Sequence, residues 1–118
     1  MSKLLIVDDE VAILEALTDI LSVEGYEVAT AGNGAEGLEQ VRQRRPDLIL
    51  LDLMMPVMDG QEMLRRLKDN PDLKAIPVVV MSAGRVSKAD LQGCRFLAKP
   101  FELDDLLDTV TAELNKPH

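Results

Sequence analysis

Cysteine and histidine are almost missing from this sequence. Its one cysteine, Cys94, excludes an internal disulfide and points to a reducing compartment. Its one histidine, His118, is the last residue and reads as part of a tail, so neither imidazole catalysis nor a histidine-rich metal site is expected. Long apolar runs are missing too. Stretches such as 48–51 and 78–81 fall far short of the ~20 residues that cross a bilayer. Lys3 is followed by a short apolar run that ends in three acids, too short for a signal-peptide core, and a cytoplasmic location is expected. Positive charge is scarce: 13 Lys and Arg against 21 Asp and Glu leave a net charge of −8. Nucleic acid and anionic membranes would be repelled by the domain itself. Gly32-Asn33-Gly34 lacks the remaining glycine pattern and the lysine of a nucleotide cradle. No repeat, low-complexity tract or linker divides the chain.

What remains is 118 residues, 47% apolar and 29% charged, the balance of one folded domain spanning 1–118. The apolar pattern alternates. Leu4–Val7 reads as a buried strand, and Ile13, Leu14, Leu17, Ile20 and Leu21 mark a helix that ends at Gly25. A second strand over 27–31 precedes a helix carrying Ala35, Leu38 and Val41 and stopping by Pro46. The third strand covers 48–51, and Pro56 with Asp59-Gly60 marks a loop before a helix with Met63, Leu64 and Leu67 facing inward. A fourth strand covers 77–81, residues 87–92 hold only a short helix, and 94–98 make a short fifth strand. The last helix carries Leu103, Leu106, Leu107, Val110 and Leu114, with Glu102, Asp104 and Asp105 suiting the dipole of its first turn. Five strand–helix units with continuous apolar strands predict an α/β fold. The expected form is a doubly wound, flavodoxin-like parallel sheet of order 2-1-3-4-5, with helices on both faces and a short or irregular fourth helix. Sites in such sheets lie beyond the carboxyl ends of the strands.

The residues at those ends are Asp8-Asp9-Glu10, Asp52, Ser82 and Lys99. Strand-end acids often cap loops, but three of them at two neighbouring strand ends, opposite a lysine, point to chemistry. Crowded carboxylates raise one another's pKa, and a hard dication relieves them. Mg²⁺ suits this oxygen set, with Asp9 and Asp52 as direct ligands, Asp8 direct or through water, and the backbone carbonyl of Met54 completing the protein's share. Aspartate is also a competent phosphoryl acceptor. Phosphoryl transfer asks mainly for positioning and charge neutralisation, which Mg²⁺, Lys99 and the Ser82 hydroxyl can provide. With no histidine or histidine-partnered cysteine near these residues, triad hydrolysis is excluded.

Leu5-Ile6-Val7-Asp8-Asp9-Glu10, Asp52-Leu53-Met54-Met55-Pro56-Val57-Met58-Asp59-Gly60, Met81-Ser82-Ala83 and Lys99-Pro100-Phe101 together resemble the receiver domain of bacterial two-component response regulators, over nearly the whole chain. The resemblance implies that Asp52 accepts a phosphoryl group from a phosphohistidine of a histidine kinase or histidine phosphotransfer protein. It implies that Asp8 and Asp9 hold Mg²⁺, that Ser82 is the switch hydroxyl, and that Lys99 contacts the phosphoryl group beside a cis Lys99-Pro100 bond. Phe96 falls at the family's switch-aromatic position, and equally reads as an ordinary core or edge aromatic. The chain would then be a switch that catalyses only its own phosphorylation and dephosphorylation. Its strand 4–helix 4–strand 5–helix 5 face would alter affinity for a downstream protein or a fused output domain, in a monomer or a weak phosphorylation-linked dimer. Two alternatives stand beside this: an interaction module of the same shape that works without phosphate, and a Mg²⁺-dependent aspartyl phosphatase. The phosphatase would want a second Asp two positions after the first, where Glu10 stands.

One departure matters. Only 17 positions separate Ser82 from Lys99, fewer than receivers usually have, so residues 85–93 are expected to be loosely held until Asp52 is modified. Arg42, Arg44 and Arg45 complement the dipole at the end of helix 2, or form a docking patch for an acidic partner. Met54, Met55 and Met58 are expected mainly to fill core, with adaptable contact to a partner as the alternative, and Cys94 to be a small buried hydrophobe.

Overall fold

The computed structural model describes residues 2–55 and 57–116; Pro56 and His118 lie outside the described residues. Strand and helix alternate throughout: β1 (Lys3–Val7), α1 (Val11–Val23), β2 (Glu27–Ala31), α2 (Gly34–Gln43), β3 (Leu48–Asp52), α3 (Gly60–Asp69), β4 (Val78–Ser82), α4 (Lys88–Leu91), β5 (Arg95–Ala98) and α5 (Leu103–Leu114). The strands form one parallel sheet in the order β2-β1-β3-β4-β5, as expected.

Period-two alternation sorts each apolar run onto two faces. Leu5, Val7, Ile49, Leu51, Val78 and Val80 pack with Leu38 and Val41 of α2 and with Met63, Leu64 and Leu67 of α3. Leu4, Ile6, Leu48, Leu50, Val79 and Met81 pack on the opposite face with Leu17 and Leu21 of α1 and Leu106 and Val110 of α5. Each fully buried Leu, Ile or Val is worth ~1.5–3 kcal/mol relative to exposure, so these two layers fix the register of the sheet.

Local chemistry sets the helix starts. Asn33 Oδ1 accepts from the Glu36 amide at 2.9 Å at the head of α2, and Asp59 Oδ1 accepts from the Glu62 amide at 2.9 Å at the head of α3. Ser87 and Asp90 form a reciprocal capping box at α4. That helix is nevertheless only four residues long and ends in two left-handed residues, Gln92 (φ 48°) and Gly93 (φ 84°). None of residues 83–96 is fully buried. The expected short helix is present, and its shortness leaves β5 poorly covered at the edge of the sheet.

Candidate functional site

Because β1, β3, β4 and β5 run parallel, their carboxyl ends meet along one rim of the sheet. Val7 pairs with Leu51, Asp52 with Met81, and Ser82 with Ala98. The next residue after β1 is Asp8 and the next after β5 is Lys99, so the register brings Asp8, Asp52, Ser82 and Lys99 together. Asp8, Asp9 and Asp52 each offer an oxygen within 4.8 Å of the others'. Asp8 and Asp52 are buried, and Asp9 is exposed.

The buried charges are held by specific bonds. Lys99 Nζ donates to Asp8 Oδ2 at 2.7 Å and lies 3.7 Å from Asp52 Oδ2. Asp8 Oδ1 accepts from the Glu10 amide at 2.9 Å, and Asp52 Oδ1 accepts from the Met54 amide at 3.2 Å. Ser82 Oγ accepts from the Gly84 amide at 3.1 Å, while the Ser82 carbonyl accepts from the Lys99 amide at 2.9 Å. The Lys99-Pro100 bond is cis, as expected. A cleft of about 540 Å³ opens over Asp52, Ser82 and Lys99 and is also lined by Gln61, Arg85 and Asp90.

Electrostatics distinguish the members. Burial pushes the Asp52 carboxyl above its usual range; the Met54 amide and Lys99 pull it down, but Asp8 and Asp9 push with burial and the net shift is upward. Burial works against the Lys99 ammonium, yet the hydrogen bond to Asp8 and the charges of Asp8, Asp52 and Glu10 outweigh it, holding its pKa above the ordinary value. The raised Asp52 pKa has a sign for stability. The contribution of a group whose folded pKa is raised is complete below the unfolded value near ~3.9 and is lost as pH rises through the folded pKa. At neutral pH the ionised carboxylate therefore destabilises the fold. Asp52→Asn is expected to melt above the wild type at pH 7, with the gap closing towards pH ~4; thermal melts across that range test it.

Most of the sequence-predicted site residues converge here, and one side chain does not sit as expected. Met54 was expected to fill core; it is 74% exposed, because the chain turns outward immediately after β3, while Met55 and Met58 do pack on the core. Phe96 lies at the edge and not in the core, one of the placements its type allowed: it stands on edge strand β5, 36% exposed, because the four-residue α4 leaves it uncovered. Cys94 is half-buried against the core beside α3, and burial pushes its thiol pKa up, disfavouring the thiolate. Arg42 closes the last turn of α2, and Arg45 donates to the Asp72 carbonyl.

The chemical signature of the acids did not reveal the close approach at Gly60. Its amide donates to the Leu53 carbonyl at 3.0 Å, locking the start of α3 against the end of β3. The Asp59-Gly60 pair signalled a turn, not this contact. Nearby, Val57 holds φ at 67° with its side chain 87% exposed. A β-branched residue in that region is strained, and its side chain gains nothing from burial here. Val57→Asn, which tolerates the left-handed region without the added chain freedom of glycine, is expected to stabilise the protein by ~1 kcal/mol in denaturant titrations.

The family model of the response regulator receiver domain matches residues 4–111. The response regulator MprA of Mycobacterium leprae (strain TN) is 40% identical over 119 residues, covering 97% of this chain and 51% of that protein. The chain thus spans about half the length of the curated relatives it matches. Among solved structures, the chemotaxis response regulator CheY4 of Vibrio cholerae is similar with a TM-score of 0.89 at 32% identity, covering 96% of this chain and 98% of that one. The response regulator protein TrrA of Thermotoga maritima, solved in complex with Mg²⁺–BeF, has a TM-score of 0.88 at 31% identity over 96% of this chain and 99% of that one. Among the described residues, no helix is long and apolar enough to cross a membrane.

Proposed function

This chain belongs to the response regulator receiver-domain family, and from that premise we propose that it is a phosphorylation-dependent switch in which Asp52 accepts a phosphoryl group from a phosphohistidine. The observation that carries the reading is the convergence of three carboxylates, a hydroxyl and an ammonium at adjoining strand ends, with Lys99 Nζ within 3.7 Å of Asp52. An Asp52 oxygen attacks phosphorus while the bond to the donor imidazole breaks, the ring nitrogen keeping the electron pair. Lys99, released from Asp8, pairs with one phosphoryl oxygen, and Ser82 turns its hydroxyl from the Gly84 amide towards another.

The donor set fits Mg²⁺: all three groups are hard carboxylates, crowded within 4.8 Å. Asp9 and Asp52 would hold the ion, with Asp8 direct or through water and the Met54 carbonyl completing the set. The bound ion supplies charge neutralisation for the acids and for the transferring group. The Mg²⁺–BeF complex of TrrA supports this choice.

Movement of Ser82 pulls on the segment that leads into α4. Phe96, exposed on β5, then turns inward, and the α4–β5–α5 face changes its affinity for a downstream protein or an output domain carried on the same polypeptide. Amide exchange over residues 85–93 is expected to slow on addition of Mg²⁺ and beryllofluoride; unchanged exchange removes this part of the mechanism.

Incubation with Mg²⁺ and acetyl phosphate, read by intact mass, tests the whole reading. One phosphoryl group is expected on the wild type and none on Asp52→Ala. An unmodified wild type supports an interaction module that works without phosphate, and steady turnover of phosphate esters supports a phosphatase; either overturns the switch.

A further inference from the structure

The cleft over Asp52 repels what it must admit. Asp9, Glu10, Asp52 and Asp90 line it, and phosphodonors are anions. Lys99 offers little help to an arriving donor, because its Nζ is 2.7 Å from Asp8 Oδ2 and its side chain is only 12% exposed.

Arg85 lines the same cleft and is exposed. Among the described residues it forms no salt bridge. Its position follows from the local chain. The Gly84 amide folds back onto Ser82 Oγ at 3.1 Å, so the backbone turns just before Arg85. Ser87 caps α4 two residues later, and that helix is only four residues long, so Arg85 has no turn of its own helix to lie against.

We propose that Arg85 is the donor-binding residue of this site for small acyl phosphates, capturing them beside Asp52. The proposal rests on phosphoryl acceptance by Asp52 as argued above. Acyl phosphates carry carbonyl and phosphoryl oxygens side by side, an arrangement that the planar guanidinium fork binds with two parallel hydrogen bonds. In the transfer, an Asp52 oxygen forms the new bond to phosphorus and the bond from phosphorus to the acyl oxygen breaks. The carboxylate leaves with the electron pair, and no proton moves.

The test measures phosphorylation rate against acetyl phosphate concentration, in Mg²⁺, for the wild type, Arg85→Gln and Arg85→Lys at low and high salt. Arg85→Gln is expected to lose about tenfold in second-order rate at low salt, expressed in KM and not in kcat. The gap should narrow at high salt, where screening removes long-range attraction. Arg85→Lys should recover only part of the rate, because an ammonium keeps the charge and not the bidentate fork, and all three proteins should melt alike, since the side chain is exposed. Equal rates for wild type and Arg85→Gln, or a loss confined to kcat and indifferent to salt, overturn the assignment of Arg85 alone. A wild type that is never phosphorylated takes down the acceptor role of Asp52 and this proposal with it.

Discussion

Lys99→Met is expected to destabilise the protein by about 3 kcal/mol, a drop in melting midpoint on the order of 10 °C. Methionine keeps the apolar stem and removes only the charge. What remains is Asp8, fully buried, with the Glu10 amide as its hydrogen-bond partner and Asp52 close by. Removing one member of a buried pair costs ~3–5 kcal/mol because the other charge is left uncompensated; the low end applies here because Lys99 is partly exposed. Adding Asp8→Asn should restore most of the loss, giving a coupling of roughly 2 kcal/mol in the double-mutant cycle. Additive single effects would mean that the 2.7 Å pair contributes nothing beyond packing.

Gly60→Ala is the second large effect. A Cβ there would sit 2.6 Å from Leu53 Cα and 2.9 Å from the Asp52 carbonyl carbon, and it would press on the Asp52 carbonyl oxygen. These are backbone atoms, so no rotamer change relieves the clash. α3 must slide from the end of β3, breaking the Gly60–Leu53 hydrogen bond and displacing Asp52. A loss of at least ~3 kcal/mol is expected, together with loss of beryllofluoride binding in any protein that still folds. Gly32→Ala is the control: its Cβ would meet only Glu36 Oε2, at 3.6 Å, and its cost should stay within ~0.5 kcal/mol. Denaturant titrations of both variants decide the matter.

The sheet order and nearly every strand were legible because β1, β3 and β4 are buried on both faces and so read as unbroken apolar runs. The site was legible for a related reason. In a parallel sheet the residue after each strand lands on one rim, so Asp8, Asp52, Ser82 and Lys99 could be placed together from strand ends alone. Pairing within that rim was not legible. Which carboxylate holds Lys99 depends on differences of about an ångström, 2.7 Å to Asp8 against 3.7 Å to Asp52, and residue spacing does not encode them. Met54 misled because an apolar type was taken for a buried place, whereas the turn after Asp52 decides its exposure. Gly60 was read as turn punctuation, since a sequence records that a side chain is missing and not what presses into the gap.

Two strands of this sheet have a neighbour on one side only, β2 and β5. An open ladder is an invitation for another chain to zip onto it. Both begin with an exposed charge, Glu27 and Arg95, and β5 is just four residues long. With so little helix over β5, the shortness of its ladder and that guanidinium are what discourage edge-to-edge pairing. Exchanging Arg95 for valine would trade a gatekeeper for a sticky rim, and the penalty would surface as aggregates during refolding.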